Sequence, residues 1–268
     1  MNRTATETWR SVGRPNVAAH ASRLVYALTV RELKVNYDRS FFGFAWTLAS
    51  PLLRLGTLYF VFHVLLEHGG DSYAAYVFIG LLSYVWFQVS VMAGCWAVLS
   101  NPELVLRPGF PRWILPLVPV TSGAVRFILA LPLAVILAWY LTGPPQASIL
   151  LFPAIIVLQV LVTIPLTFAV AALTSRYRDV HEIMQVLTLL LFFLTPIFYQ
   201  RSDVPEAYQW IATINPLAYV VEAYRWALLG APAPPIKDLY FTIAVVIVTL
   251  FIFVRLFMRM SNRFVEDL

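Results

Sequence analysis

Two arginines sit where an arginine is expensive. Arg54 and Arg126 each fall about 13 residues into an otherwise apolar run, which in a helix places them near ~20 Å deep. A cation at that depth in lipid costs ~2.5–3.5 kcal/mol even on a lenient insertion scale. No Asp or Glu occurs inside any of the apolar runs, so neither arginine has an evident partner there. One reading has them face a cavity and take an anion such as a phosphate, which accepts paired hydrogen bonds from a guanidinium. The other has the runs begin later, with both side chains snorkelling to lipid headgroups. A second concentration of charge, "SRYRDVHE", brings Arg176, Arg178, Asp179, His181 and Glu182 together between two runs (147–172 and 183–200) that hold no charged residue. Other chemistry is missing. There is no H-E-x-x-H, no C-x-x-C and no phosphate-binding G-x-x-x-x-G-K-[ST]. His20, His63, His68 and His181 are scattered, so no metal site is expected.

The elements that must position these groups follow from composition. With 60% hydrophobic and 12% charged residues, against roughly 25% charged in soluble domains, the chain has too little polar surface to face water. It reads as an all-α membrane protein with six transmembrane helices, at 41–66, 73–99, 113–142, 147–173, 183–200 and 239–258. The runs are too long, and alternate too little, for membrane strands. Placing both termini and the even-numbered loops in the cytoplasm puts Arg3, Arg10, Arg14, Arg23, Arg31, Lys34, Arg39, Arg107, Arg112, Arg176, Arg178, Arg255, Arg259 and Arg263 inside, 14 of the 19 basic residues. The charge burst is then a cytoplasmic elbow between spans four and five, where Asp179 is also placed to cap the helix that follows. Residues 20–39 read as an amphipathic interface helix, in which Leu24, Ala27, Leu28, Arg31, Val35 and Tyr37 share a helix with one apolar stripe and one basic face; a solvated basic arm is the alternative. Residues 204–230 are apolar but broken at Asn215-Pro216. Neither half can cross a bilayer, so a re-entrant helix pair is expected, with a pair lying flat on the surface as the alternative. Cys95 is the single cysteine, so no intrachain disulfide forms. The basic first 40 residues hold no apolar core ahead of a cleavage site, and no cleaved signal peptide is expected. Tyr59, Phe62 and His63 on span one, and Phe192, Phe193, Phe198 and Tyr199 on span five, offer flat faces that stack on sugars or, more plainly, interface belts and helix packing.

Four stretches carry a resemblance over nearly the whole chain: "VRELKVNYDRSFFGFAWTLASPLL" (30–53), "NPELVLRPGFPRWILPL" (101–117), "SRYRDVHEIMQVLTLLLFFLTPIFY" (175–199) and "VPEAYQWIATINPLAYVVEAYRWALLG" (204–230). In order and spacing they resemble the transmembrane subunit of type-2 ABC exporters of polysaccharides, the group of O-antigen, teichoic acid and capsule exporters. The resemblance implies one transmembrane domain over 1–268, in a bacterial inner membrane. It implies a homodimer joined by two separate ATP-binding subunits, which hold the ATP and magnesium; no cofactor is expected on this chain, and no nucleic acid. It implies that the interface helix and cytoplasmic loops rest on the ATPase, which makes Arg31, Lys34, Glu103, Arg107, Arg176, Arg178 and Asp179 coupling candidates. Arg54, Tyr59, Arg126, Phe192, Phe193 and Tyr199 are the substrate-channel candidates. Asn215, Pro216, Glu222 and Arg225 belong to an outer gate formed by the re-entrant pair. The implied substrate is a glycan on an undecaprenyl pyrophosphate carrier. Arg54 departs from the apolar residue expected after "SPLL". The competing readings are a teichoic acid or capsule exporter, an exporter of a drug or small lipid, and an intramembrane enzyme. The last needs clustered Asp, His or Arg at an interface, which the short loops lack.

Overall fold

Long apolar runs leave backbone N–H and C=O groups without solvent partners, so they satisfy them internally as helices. In the computed structural model, which describes residues 17–37, 43–67, 70, 72–144, 146–262 and 264, every regular element is helical. The expected interface helix forms as α1 (Val17–Tyr37). Positions 38–39 of that expectation, positions 41–42 of span one, His68, and Arg3, Arg10, Arg14, Arg39 and Arg263 lie outside the described residues. Then come α2 (Trp46–Leu58), continued by a wider turn over Tyr59–Leu65, α3 (Tyr73–Trp96), α4 (Pro102–Leu106), α5 (Leu117–Thr142), α6 (Phe152–Arg176), α7 (Val180–Leu194), α8 (Trp210–Ile214), α9 (Pro216–Leu229) and α10 (Ile236–Ser261).

Five of these helical stretches are long and apolar enough to cross a membrane: Trp46–Leu65, Tyr73–Trp96, Arg112–Thr142, Ala147–Arg176 and Ile236–Ser261. They match five of the six expected spans. The segment expected at 183–200 forms a helix of 15 residues, about 22 Å, short of a ~30 Å hydrocarbon core. Its stop is local. Pro196 has no N–H and pushes Thr195 out of helical geometry, and Thr195 is extended at φ −92°, ψ 133°.

α3 is the centre. It packs against α2, α5, α6, α7 and α9, and Val77, Val91 and Cys95 are fully buried. Small residues let its neighbours approach. A Cβ at Gly94 would stand 2.6 Å from Thr167 Cγ2 on α6, and one at Gly80 would stand 2.7 Å from Arg225 Nη2 on α9. Polar groups lock the register. Ser83 Oγ donates to Gln159 Oε1 at 2.9 Å, and Gln159 Nε2 returns a bond to the Ser83 carbonyl at 2.7 Å. One end of the bundle gathers Val98, Val105, Leu115, Phe168, Phe257 and Phe264 into a second core; this is the elbow end. At the other end Ser148 Oγ donates to the Trp226 carbonyl at 3.2 Å.

The α8–α9 pair is set by its break. Pro216 starts α9, and Asn215 caps it by accepting the Leu217 N–H at 3.0 Å. Gly230 closes it in the left-handed conformation, φ 66°. Val220, Val221 and Tyr224 are fully buried, so α9 is a packed element. Asn215 and Pro216 lie beside Phe87, Pro165 and Val246, near the mid-length of α3, α6 and α10, while the C-terminal end of α9 lies back at the far end.

Candidate functional site

The two buried-run arginines converge. Arg54 from α2 and Arg126 from α5 line one cleft of about 490 Å³, with Gln88, Val89, Met92 and Ala93 of α3 and Glu32 of α1. Arg54 Nη1 donates to Gln88 Oε1 at 3.3 Å. Arg54 lies eight residues after Trp46, Gln88 eight before Trp96, and Arg126 nine after Leu117, so all three sit about 12–14 Å from the elbow-end tips of their helices. Counted from the start of its stretch, Arg54 lies shallower than the ~20 Å read from sequence, because that stretch begins at Trp46, whereas Arg126 stays 14 residues into Arg112–Thr142. The two arginines nevertheless share a cavity, which simple snorkelling does not require.

The carboxyl group that shares their cleft comes from outside the spans. α1 docks on the start of α5 through Ala21, Leu24, Val25 and Leu28 against Ile114 and Val118. The Thr29 and Thr121 hydroxyls hydrogen-bond at 2.6 Å. This buried stripe is rotated from the expected one: Ala27 is exposed and Val35 is 67% exposed. Glu32 is the next position along the stripe, one turn past Leu28 and Thr29. Burial pushes its carboxyl above the usual range, against the Arg126 charge, which pulls it down. Helical spacing alone (21, 25, 28, 32) carried the signal that this acid faces inward.

The aromatic candidates form a separate group at the other end. Tyr59 stacks on His63 at 4.6 Å, Phe62 on Phe198 at 4.7 Å, and Phe192 and Phe193 each lie 5.9 Å from Phe198. Tyr199 donates from its hydroxyl to the Phe193 carbonyl at 3.2 Å. The six channel candidates thus split into a cation cleft and an aromatic cluster.

The coupling candidates all lie at the elbow end. Arg31 and Lys34 are exposed on α1, Glu103 and Arg107 on and just after α4, and Arg176, Arg178 and Asp179 between α6 and α7. Asp179 precedes α7, but its side chain makes no capping bond. The elbow is held by His181 instead. Trp96 Nε1 donates to His181 Nδ1 at 3.2 Å, and the other ring nitrogen bonds the Gln185 amide at 2.9 Å. Arg112 ties α4 to α10, donating to the carbonyls of Val105 at 3.0 Å and Ser261 at 2.7 Å.

At the far end Arg225 is fully buried. It donates to the carbonyls of Pro196 and Ile197, both at 2.6 Å, and of Tyr76 at 3.1 Å, with its guanidinium 3.4 Å over the Tyr76 ring. Asn215 Nδ2 donates to Thr195 Oγ1 at 2.9 Å. The expected gate residues therefore bolt α9 to the exit of α7. Glu222 pairs with Arg201 at 3.7 Å, and Arg201 also bonds Asp238 at 2.6 Å and the Thr213 hydroxyl. Arg201, missed in the sequence, is the hub of this network; its one signal was a basic residue on the side that should lack them.

Comparison with known proteins bears on all three sites. Residues 23–229 match the model of the ABC-2 type transporter family. The chain is 30% identical over 247 residues to the O-antigen export system permease protein RfbA of Myxococcus xanthus, covering 91% of this chain and 95% of that one. It is 29% identical to the protein of the same name from Klebsiella pneumoniae, over 89% and 94%. The polysialic acid transport protein KpsM of Escherichia coli is 22% identical over 87% and 92%. The family model spans α1 from Arg23 through α9 to Leu229, and so takes in the cation cleft, the elbow and the bolted helix pair: this chain belongs to the ABC-2 type transporters.

Proposed function

We propose that this chain is the permease subunit of an ATP-driven exporter that carries a lipid-linked, O-antigen-like polysaccharide out of the cytoplasm across a bacterial inner membrane. The observation that carries this reading is end-to-end likeness, at 30% identity, to a permease named for O-antigen export. The fainter likeness to a polysialic acid transporter supports capsule export as the second reading.

In this reading the elbow end is cytoplasmic, because the basic residues of α1, of the α4 loop, of the elbow and of the last turns of α10 gather there. α7 and its extended exit together form the sixth crossing. Support comes from where they touch α3. His181 at the start of α7 meets Trp96 at one tip, and Tyr73 at the other tip donates to the Phe198 carbonyl at 2.9 Å. The 24 residues of α3 between them span about 36 Å. α8 and α9 form the re-entrant pair, supported by the burial of α9 and the mid-length position of Asn215. Two copies pair, and each takes an ATP-binding subunit against α1, the α4 loop and the elbow; ATP and magnesium belong to that subunit. Arg54 and Arg126 receive the carrier's pyrophosphate during loading, and the aromatic cluster lies further along the path of the sugars.

Deletion of the gene tests the function. Carrier-linked glycan is expected to accumulate on the cytoplasmic face, with surface glycan restored by the wild-type copy. Full surface glycan in the deletion overturns the proposal. In the same background Arg54→Leu or Arg126→Leu is expected to abolish most export at normal membrane abundance, and the Lys variants to retain part of it. Equal export by Arg, Lys and Leu removes the loading role.

A further inference from the structure

The cation cleft already contains a carboxyl group of the protein's own. Glu32 stands at a junction: it lines the cleft that holds Arg54 and Arg126, and also a neighbouring cleft of about 500 Å³ that leads towards Ser100 and Asn101 at the elbow end. It is on the inward stripe of α1, held there by the Thr29–Thr121 bond one turn earlier. Its carboxylate feels the Arg126 charge. The same helix carries Arg31 and Lys34 on its exposed side.

We infer that Glu32 is a resident competitor in the cation cleft, sharing the Arg126 field that an entering phosphate or diphosphate headgroup needs. This rests on the reading of Arg54 and Arg126 as an anion site and adds the residue that sets its affinity. The physics is a replacement of one oxyanion by another. A headgroup oxygen brought within reach of the Arg126 guanidinium takes over the stabilisation that Glu32 enjoys, and its own negative charge repels the carboxylate. The two anions therefore oppose each other, and occupancy of the cleft works against the docked position of α1. Burial disfavours the charged carboxylate in this place, so the resident anion is held weakly and gives way. Because α1 also presents Arg31 and Lys34, displacement at one face of the helix is felt at the other. Loading thereby alters the helix that meets the partner subunit.

The full-length chain, purified with its ATP-binding subunit in phosphatidylcholine nanodiscs, provides the test. It is titrated with inorganic pyrophosphate in one arm and with farnesyl diphosphate, the same headgroup on an isoprenoid tail, in the other. Binding in both arms means that the free headgroup suffices, and binding in the second alone means that the lipid-borne form is needed. In whichever arm the wild type binds, Glu32→Gln and Glu32→Ala are expected to bind at least about fivefold tighter, the lower end of typical coupling between two ligands. In an Arg126→Gln background the gain is expected to vanish. Ligand should also increase amide hydrogen exchange along α1 in the wild type and not in Glu32→Gln. Unchanged or weaker binding by both Glu32 variants, in an arm where Arg126→Gln does weaken binding, overturns the competitor while leaving the anion site standing. Binding that is indifferent to Arg54 and Arg126, or absent in both arms, overturns the anion site and the competitor together.

Discussion

Arg225 shows what a charge does when it is enclosed completely. Its planar fork satisfies the Pro196 and Ile197 carbonyls at the point where α7 has lost helical hydrogen bonding, and adds a bond to the Tyr76 carbonyl of α3. A hydrogen bond to a charged group is worth about 1.5–3 kcal/mol, so Arg225→Met is expected to lower thermal stability in detergent markedly. Arg225→Lys should rescue little, because an ammonium cannot serve two carbonyls and lie flat on the Tyr76 ring at once. Gly80→Ala should move stability the same way, since its Cβ meets the guanidinium. Wild-type stability in all three overturns the bolt. Glu32 gives a pH prediction. Its docked pKa is raised by burial, so the docked state binds the proton more tightly than the undocked one. Docking of α1 is then strongest below the ordinary glutamate value of about 4.3 and weakens as pH rises through the raised value. Protease protection of α1 should fall over that window in the wild type and stay flat in Glu32→Gln. Arg54 and Arg126 were legible in the sequence because a charge in an oily run stands out. Glu32 was not, because the search for partners stayed within the runs, and Arg225 read as a gate group because its carbonyl partners lie about 29 and 149 residues away.

Among elements, α7 links the two ends of the molecule, pinned to Trp96 at its start and, through Thr195, to Asn215 at its exit. A push at the elbow thus has a stiff path to the α8–α9 pair. Trp96→Phe keeps the ring and removes the N–H that His181 accepts. It is expected to lower the ratio of export to ATP hydrolysis in the reconstituted complex, as is joint charge reversal at Arg178 and Asp179. An unchanged ratio in both leaves the elbow as an anchor only. The helices themselves were legible, since a run of some 20 apolar residues has few other solutions. So was the Asn215-Pro216 break, which is local chemistry. The early stop of α7 was written in Thr195-Pro196, but the apolar composition continuing to Tyr199 hid it. The missing cap at Asp179 is a tertiary outcome, because the Trp96–His181 contact, not a local bond, fixes the turn.

For the whole molecule, the absence of a phosphate-binding loop leads to a plain expectation. The purified chain hydrolyses no ATP until its partner subunit is added, and turnover by this chain alone would contradict it. Apolar faces are open on α2 and α7, with Leu53 64% and Leu190 53% exposed, and the proposed pairing of two copies is tested there. A single cysteine at Leu53 or Leu190 should give cross-linked dimers in membranes, with buried Cys95 silent; monomers alone from both would count against pairing. The Ser83–Gln159 clasp has a consequence in time. Its halves are 76 residues apart, so at ~5–20 residues per second of synthesis Ser83 leaves the ribosome roughly 4–15 s before Gln159. α3, which ends surrounded, must first wait in the membrane with one flank open, and Gln159 arrives on α6 as an amide that lipid will not solvate and only Ser83 satisfies. That mismatch selects the facing rotation of both helices as they meet. Gln159→Leu should therefore enter the membrane more readily than the native chain and settle less often into the native arrangement.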